Sequence, residues 1–357
     1  IAQALIVRDR HGAAYRDMLA SLCPDGLAGR SLDRFETGLY GCSEMFVNGF
    51  LKLMQAGIVR REVYGDATLQ ELVNSGAIDA RTVTPGTLRA LLAAGRIGPR
   101  LNAEDLAFLE HYGILRPETQ LDGTNVVCAH ARAANDLNDP QAFSIIAGNM
   151  LGGRLERGVH MTGGFFLGPR DFYQALRDLP PAELARIDMN RILFINQLYG
   201  DDALKRAQRT KARFINTTMM VTLLGAAVSD TLDSGQVVSG VGGQYNFVAM
   251  SHALPDARLL MMLRATHEHK DGVCSSIVWN YGNATIPRHL RDVVITEYGV
   301  AELRGQTDNE VIKRLLAIAD SRFQPALVKE AKAKGKLDAR YEIPERFRHN
   351  LPQMLDD

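Results

Sequence analysis

The sequence predicts an α/β protein in which a mostly parallel sheet is flanked by helices, with a helical insertion in its first half. The main observation is a series of short apolar runs, each bounded by Gly, Asn or Asp, that begins near residue 160. Nearly continuous apolar runs of this length suit strands that are covered on both faces. Helical patterns such as GPRDFYQALRDL and DNEVIKRLLAIAD lie between the runs and supply the covering layers.

The insertion is predicted from helical apolar spacing in three segments, each of which follows a good N-cap residue. These N-cap residues are Asp66, Thr84 and Asn102, and Pro85 fits a first helical turn. The run RILFINQLYG and the others after residue 160 are interpreted as strands. The predicted parts are 1–65, which carries the candidate catalytic acid, a helical insert over 66–158, an α/β domain over 159–330, and a charged tail over 331–357.

Composition excludes several classes of protein. The 357 residues are enough for two or three domains, and Lys+Arg and Asp+Glu are equal at 41 each. With no net charge, no global field favours nucleic acid or an acidic membrane, and the longest apolar stretch, 214–228, is too short to span a bilayer. The four cysteines lie far apart without a CxxC pair, which indicates reduced thiols and a cytoplasmic location. They are Cys23, Cys42, Cys128 and Cys274.

The stretch GLYGCSEMFVNGF (38–50) places one acid, Glu44, beside glycines and an apolar segment. Ser43 is a good N-cap, so the pattern predicts that Glu44 lies in the first turn of a helix that ends before Gly57. Backbone N–H groups there favour an anion by ~0.3–1 kcal/mol, and acids are common at such positions for stability alone. A fixed, ionised carboxylate is also what a carboxylate nucleophile must be. On position alone, the stabilising role is the commoner one.

The stretch SGVGGQYNF (239–247) holds Gly240, Val241, Gly242, Gly243 and Gln244. Glycines at this density allow positive φ and close approach, so that consecutive N–H groups can point at one oxygen. The loop could be an oxyanion hole or a phosphate cradle, and a tight turn is the simpler alternative. It is not a Walker loop, because no Gly-Lys-Ser/Thr follows.

A third stretch, VVITEYGVAELRG (293–305), reads as a strand that runs into Glu297, Tyr298 and Gly299. Polar residues at the carboxyl end of a strand are typical of sites in α/β proteins. The alternative is an ordinary strand–turn–helix connection in which Glu297 forms a salt bridge.

Histidines offer a weaker pattern. His267 and His269 form a His-x-His pair, with His252 upstream, but no third ligand follows at a recognisable spacing. We therefore interpret THEHKDG as a surface loop and predict no metal.

Together and in this order, the three stretches resemble the acetyl-CoA hydrolase/transferase family, the family I coenzyme A transferases. SGVGGQYNF resembles the family's SG(I/V)GGQxDF loop, and VVITEYGVAELRG resembles its VVTEYGVA ending. GLYGCSEMFVNGF resembles the segment that carries the family's catalytic glutamate, which falls on Glu44. The resemblance spans roughly 35–60 and 160–330, and the family includes acetate, succinate, butyrate and 4-hydroxybutyrate CoA-transferases.

The resemblance implies a CoA-transferase-like fold and carboxylate metabolism by CoA transfer or acetyl-CoA hydrolysis through a glutamyl-CoA thioester. The expected partners are acyl-CoA and a small carboxylate, with the CoA thioester as substrate. No tightly bound cofactor is expected, and the expected assembly is a homo-oligomer, a dimer. It also implies that an α/β domain precedes Glu44, so we expect further N-terminal sequence or a partner that supplies it. The implied site residues are Glu44 as catalytic group, Gly240, Val241, Gly242, Gly243 and Gln244 as oxyanion and CoA-binding residues, and Asn216, Glu297, Tyr298 and Gly299 as a substrate pocket.

The chain departs from the family pattern at three polar positions. Thr222 and Asn246 stand where the family has aspartate, and Ala226 stands where it has glutamine; the helical insert replaces a short connector. These departures leave two alternatives open. One is a CoA-binding module that has lost catalysis, and the other is a metal-dependent hydrolase that uses His267 and His269.

Overall fold

The computed structural model describes residues 1–22, 33–270 and 272–355, so Cys23 and the end of the charged tail lie outside the described residues. The helices are α1 (Ala2–Leu22), α2 (Asn48–Gln55), α3 (Ala67–Asn74), α4 (Pro85–Ala93), α5 (Ala103–His111), α6 (Pro140–Asn149), α7 (Arg170–Arg177), α8 (Pro181–Leu184), α9 (Ile192–Asn196), α10 (Asp202–Gln208), α11 (Gln244–Ala253), α12 (Asp308–Ala317) and α13 (Gln324–Ala333). Short 3-10 turns cover Arg288–Leu290, Glu345–Phe347 and Pro352–Leu355.

Within the described residues, the strands form five small sheets. They are β1 (Gly41–Phe46), β2 (Gln120–Asp122), β3 (Asn125–Cys128), β4 (Ala131–Ala134), β5 (Met161–Phe166), β6 (Ile187–Met189), β7 (Arg213–Thr217), β8 (Met220–Thr222), β9 (Ala227–Val228), β10 (Arg258–Met262), β11 (Thr266–His269), β12 (Gly272–Ser275), β13 (Ile277–Val278), β14 (Val293–Thr296) and β15 (Gly299–Glu302). Parallel pairing joins β1–β5–β6 and β7–β10–β14, and helices flank both sets, which confirms the α/β class.

The chain folds as two compact units, residues 1–208 and 209–357. In the first unit, the sheet β1–β5–β6 packs against α2 and α7 through Phe46, Leu51, Met161 and Phe172. The rings of Phe46 and Phe172 meet edge to face with centroids 5.9 Å apart. This small apolar core fixes the strand that carries the candidate acid.

The segment 66–158 has a hydrophobic core of its own within the first unit. The three predicted N-caps are confirmed: side-chain oxygens of Asp66 and Asn102 accept backbone N–H groups of α3 and α5 at 2.9 Å, and α4 begins directly after Thr84. The antiparallel sheet β2–β3–β4 was not predicted. Its strands are only three or four residues long, and Ala131–Ala134 has little β-propensity. The predicted boundaries of the segment stay predictions.

Four consecutive helices of the first unit end in the same way. After each of α2 to α5 comes a glycine with positive φ, and an isoleucine follows one or two residues later. Gly57 confirms the predicted exit of the first of these helices: its N–H bonds to Met54 O, and the N–H of Ile58 bonds to Leu53 O, both at 2.9 Å. The sequence pattern showed no repeat, yet the glycines recur every 18 or 19 residues. They are Gly57, Gly76, Gly95 and Gly113.

In the second unit, the sheet has the order β15–β14–β10–β7, with only β15 antiparallel. The register aligns Thr217 with Met262, and Met262 with Ile295, so the carboxyl ends of the three parallel strands reach one edge. The helices α11, α12 and α13 contribute to the core of this unit. Among the described residues, no helix is long and apolar enough to cross a membrane.

A half-buried carboxylate, Glu62, connects three segments of the first unit. Glu62 accepts hydrogen bonds from Arg186 at 2.7 Å, and from Arg154 and Tyr64 at 2.9 Å each. Burial alone would raise the pKa of Glu62, but its polar contacts with His160, Arg186 and Tyr64 and the charge of Arg154 outweigh burial. They lower the pKa to about 2, from an ordinary 4.5.

This lowered pKa predicts a defined pH dependence of stability. A depressed carboxyl pKa adds stability that is complete above pH ~4.5 and is lost as the pH falls towards ~2. We expect Glu62→Gln to lower the free energy of unfolding at pH 7 by about 2–3 kcal/mol, and to flatten its decline below pH 4.5. Urea unfolding at pH 7, 4 and 3 measures both effects, with the exposed Glu118→Gln as control. An equal decline in the wild type and Glu62→Gln would contradict the prediction.

Candidate active site

Glu44 lies in strand β1, not in a helix. β1 pairs in parallel with β5, from Gly41 opposite Met161 to Phe46 opposite Phe166, and α2 begins only at Asn48, with Val47 as its N-cap. The prediction that Ser43 caps a helix with Glu44 in its first turn is therefore wrong. A helix dipole does not explain an acid at this position.

The carboxylate of Glu44 is held by an amide that the sequence analysis did not single out. Asn196 is 5% exposed, and its Nδ2 donates to Glu44 Oε2 at 3.1 Å. The stretch RILFINQLYG, predicted as a strand, forms α9 instead, and Asn196 is the last residue of that helix. Its Oδ1 is buried, and no hydrogen-bond partner for it lies among the described residues. A buried amide whose donor side faces an acid orients that acid.

Gly164 explains how α9 comes close enough for this contact. A Cβ at position 164 would meet Ile192 Cδ1 of α9 and would lie 2.8 Å from the backbone oxygen of Glu44. A residue larger than glycine at position 164 would therefore push α9 away from β1 or distort β1 itself. The missing side chain lets the end of α9 settle over the strand that carries Glu44.

Large apolar side chains are exposed on the elements that carry and flank Glu44. Met45 of β1, the paired Phe165 of β5, and Leu193 of α9 have 44%, 43% and 61% of their surface exposed. A paired set of exposed apolar side chains such as Met45 and Phe165 is typical of an interaction surface.

In the second unit, the loop Gly240–Gly243 leads directly into α11. Gly242 has φ +58°, which only glycine adopts easily, whereas Gly243 has φ −83° and serves as the N-cap of α11. Of the loop glycines, Gly242 adopts the positive φ that glycine allows, and Gly243 does not. A Cβ at Gly240 or Gly242 would meet no heavy atom within 4 Å, so a ligand can approach the backbone there. Within the described part of the chain, the N–H groups of Gly242 and Gly243 make no hydrogen bond.

This loop reaches the carboxyl edge of the four-stranded sheet. Gln244, the first residue of α11, donates from Nε2 to Thr217 O at 2.6 Å, and Thr217 is the last residue of β7. Asn216 precedes it and pairs with Met261 of β10. The structure therefore brings the glycine loop and Asn216 to one edge.

Two further predicted pocket residues lie at the same edge, in the turn between β14 and β15. The Oε2 of Glu297 accepts the N–H of Ala265, which follows β10, at 2.9 Å. The hydroxyl of Tyr298 donates to Asp320 at 3.3 Å, and burial together with the charge of Asp320 raises the pKa of Tyr298 to about 12. Gly299 opens β15 with φ +155°. Tyr298 is therefore a neutral hydrogen-bonding group at ordinary pH.

Two of the departures from the family pattern lie in a tight turn between β8 and β9. Thr222 is buried, its Oγ1 accepts the N–H of Ala226 at 3.1 Å, and its own N–H bonds to Ala226 O at 2.8 Å. The hydroxyl at 222 thus closes the turn locally. Asn246 lies in α11 and is half-buried.

The histidines lie in ordinary secondary structure. Thr266–His269 is strand β11, paired with β12, so the prediction of a loop there is wrong. His267 Nδ1 lies 3.1 Å from Ser276 Oγ, and His252 Nε2 lies 3.0 Å from Leu290 O. Among the residues that the structure describes, no group of three or more His, Cys, Asp or Glu side chains could hold a metal ion.

The packing at Gly164 gives a testable prediction. Gly164→Ala should lower the free energy of unfolding by about 1–3 kcal/mol, because the new methyl group meets Ile192 and the backbone of Glu44. The matched control is Gly148→Ala in α6, where a Cβ meets nothing within 4 Å and should add about 0.5–1 kcal/mol through helix propensity. Urea unfolding measures both. A Gly164→Ala protein as stable as the wild type would show that α9 does not depend on this glycine.

Comparisons with known proteins match this architecture to one family. Residues 168–331 match the acetyl-CoA hydrolase/transferase C-terminal domain. The 4-hydroxybutyrate coenzyme A transferase of Clostridium kluyveri is 26% identical over 169 residues, which is 47% of this chain and 37% of the relative. The succinyl-CoA:cyclohexane-1-carboxylate CoA transferase of Geobacter metallireducens is 29% identical over 176 residues, or 48% of this chain and 37% of the relative. The chain thus spans well under half the length of these relatives.

Among solved structures, RipA from Yersinia pestis is similar with a TM-score of 0.42 and 26% identity, over 49% of this chain and 37% of that one. The 4-hydroxybutyrate CoA-transferase of Porphyromonas gingivalis has a TM-score of 0.36 and 17% identity, over 76% and 57%. These structural similarities are distant. Residues 168–331 therefore resemble the C-terminal domain of the acetyl-CoA hydrolase/transferase family, and the relatives that match this part of the chain by sequence are named coenzyme A transferases.

Proposed function

We propose that this chain catalyses acyl-CoA:carboxylate CoA transfer or acyl-CoA hydrolysis, with Glu44 as the nucleophile that becomes a glutamyl-CoA thioester. The observation that carries the proposal is the half-buried carboxylate of Glu44, held at one oxygen by the buried amide of Asn196. A carboxylate nucleophile has to be oriented towards the carbonyl that it attacks, and a fixed amide donor orients it. The names of the curated relatives support the same class of reaction.

In the proposed reaction, a carboxylate oxygen of Glu44 attacks the thioester carbonyl carbon of an acyl-CoA. The C–S bond breaks to give an acyl-glutamyl anhydride and CoA thiolate. The thiolate then attacks the glutamyl carbonyl, so that the acyl group leaves as a carboxylate and a glutamyl-CoA thioester remains. An incoming carboxylate reverses these steps in a transferase, and water hydrolyses the thioester in a hydrolase. The steps use CoA thioester as substrate and require no tightly bound cofactor.

Asn196 has a second proposed task in this scheme. When the thiolate attacks the glutamyl carbonyl, negative charge develops on an oxygen of Glu44. The Nδ2 group of Asn196 already lies 3.1 Å from Oε2, so it can stabilise that charge without reorganisation. A buried donor is worth more at such a site than in water.

The loop 240–244 is the proposed oxyanion- and CoA-binding element of the second unit. Its N–H groups at Gly242 and Gly243 make no hydrogen bond within the described chain, and the loop is open on its glycine side. A backbone donor aimed at a tetrahedral oxyanion typically contributes ~2.7–4 kcal/mol to the transition state. Asn216, Glu297, Tyr298 and Gly299 lie at the same sheet edge or in the turn beside it, and they are the proposed pocket residues.

The proposal predicts a covalent intermediate at Glu44. Incubation with butyryl-CoA followed by borohydride should reduce the glutamyl thioester to an alcohol, which peptide mass spectrometry assigns to Glu44. Glu44→Ala should abolish thiol release while the protein stays folded, whereas Glu183→Ala, an exposed acid elsewhere in the first unit, should keep wild-type rates. Retained turnover in folded Glu44→Ala would overturn the mechanism. Binding of butyryl-CoA without thiol release by the wild type would identify a CoA-binding module instead.

The two loop glycines predict different outcomes. Gly242→Val forces a branched residue to φ +58°, so the loop should change shape, and kcat for thiol release should fall at least tenfold. Gly243 has an ordinary φ of −83°, so Gly243→Ala should lower kcat less than Gly242→Val does. Gly148→Ala in α6, where a Cβ meets nothing within 4 Å, serves as the control and should keep the wild-type kcat. Steady-state kinetics with butyryl-CoA measures both. Wild-type kcat in folded Gly242→Val would reduce the loop to an ordinary turn.

A further inference from the structure

The glycine loop has little internal support. Its backbone bond from Gln244 N to Val241 O is long, at 3.4 Å, and Val241 is 39% exposed. Open space surrounds Gly240 and Gly242 where a Cβ would point. A loop of this kind needs a contact from outside to keep one shape.

Gln244 provides that contact. Its side chain is 8% exposed, whereas the next residue, Tyr245, is 45% exposed. The Nε2 group donates to Thr217 O at 2.6 Å and lies 3.7 Å from Met261 Sδ. Thr217 and Met261 belong to β7 and β10, two adjacent parallel strands of the four-stranded sheet. One side-chain amide therefore ties the loop to the sheet.

The orientation of this amide is fixed, and it leaves an acceptor unpaired. A rotation of 180° would place Oε1 against the carbonyl oxygen of Thr217, and two acceptors at that distance repel. In the orientation present, Oε1 is buried and has no hydrogen-bond partner among the described residues. A buried unpaired acceptor disfavours the folded state, whereas the N–H group on the other side of the same amide is paired with Thr217 O. The glutamine is therefore better explained by what its N–H group holds.

We propose that Gln244 is a positioning residue, which locks the glycine loop to the end of β7 so that the N–H groups of Gly242 and Gly243 keep one direction. The inference rests on the proposed function, in which these N–H groups bind an oxyanion. Gln244 itself touches no reacting atom in this scheme. Loss of its Nε2 should disturb the transition state more than the binding of substrate, because only the transition state carries the full oxyanion charge.

The first test replaces the amide by an apolar side chain of similar length. Gln244→Met should lower kcat for butyryl-CoA at least tenfold, with KM within threefold of the wild type. Gln324, the first residue of α13, gives the matched control: it is 4% exposed, and its Nε2 lies within hydrogen-bond distance of the backbone oxygens of Leu316, Ala319 and Phe347. Gln324→Met should lose stability and keep kcat within twofold. Equal kcat in Gln244→Met and the wild type would overturn the inference.

The second test restores the donor by pH. In Gln244→Glu, a protonated carboxyl group can donate its O–H to Thr217 O, and an ionised one cannot. Relative to the wild type, kcat of this variant should therefore be highest at the low end of the pH range and should fall as the pH rises. A ratio that does not change with pH would show that only the shape of the side chain matters, and would contradict the inference.

A measurement without substrate separates this inference from the proposed function. Hydrogen exchange of peptides that cover 239–245 should be faster in Gln244→Met than in the wild type, and unchanged in Gln324→Met. Unchanged exchange in Gln244→Met would overturn the inference even if the wild type releases thiol. Faster exchange, with no thiol release by the wild type from any acyl-CoA, would support the locking of the loop and refute the proposed function.

Discussion

The parallel pairing of β1 with β5 is the constraint on which the candidate nucleophile depends. Five of the six residues from Gly41 to Phe46 have a partner in this ladder, and the apolar ends of the two strands contribute to a shared core. Because of this pairing, Glu44 lies in a strand. The pairing also places Gly164 beside that strand, where the absence of a side chain lets α9 approach. The contact between Asn196 and Glu44 then follows from this arrangement, since α9 packs against both strands.

The second unit uses the two ends of its sheet differently. At the amino ends of β10 and β14, the buried Asp292 accepts hydrogen bonds from Arg258 and from Leu259 N, and it pairs with Arg304 at 2.8 Å. A buried acid with two arginine partners and a backbone donor is fully compensated, and it holds neighbouring strands in register. The carboxyl ends carry the glycine loop and the turn at Glu297, whose polar groups are only partly paired. Rigidity at one end and open polar groups at the other are usual in α/β sheets.

Local features of this chain could be predicted from its sequence, and features set by distant pairing could not. The caps at Asp66 and Asn102 were predictable because each depends only on a hydrogen bond between its side chain and the backbone N–H three residues later. The strand at Glu44 was not, because its partner lies about 120 residues further along the chain, and a cap followed by an apolar stripe also suits a helix. The short run that forms α9 fits a strand equally well by periodicity, so Asn196 was missed. The family motifs identified the glycine loop, but only the backbone angles show that Gly242, and not Gly243, has a positive φ.

The recurring helix ends in the first unit have a consequence for how this segment can change in evolution. Each of the four helices carries its own stop signal, a glycine at positive φ followed by an isoleucine, and neighbours such as α3 and α4 pack side by side. A stretch of this design can gain or lose one helix and its turn by duplication or deletion of about nineteen residues. The reason is that residues within or directly beside each helix determine where that helix begins and ends. The chain before and after the stretch then keeps its own pairing, and length variation is confined to a modular region that leaves β1 and β5 in register.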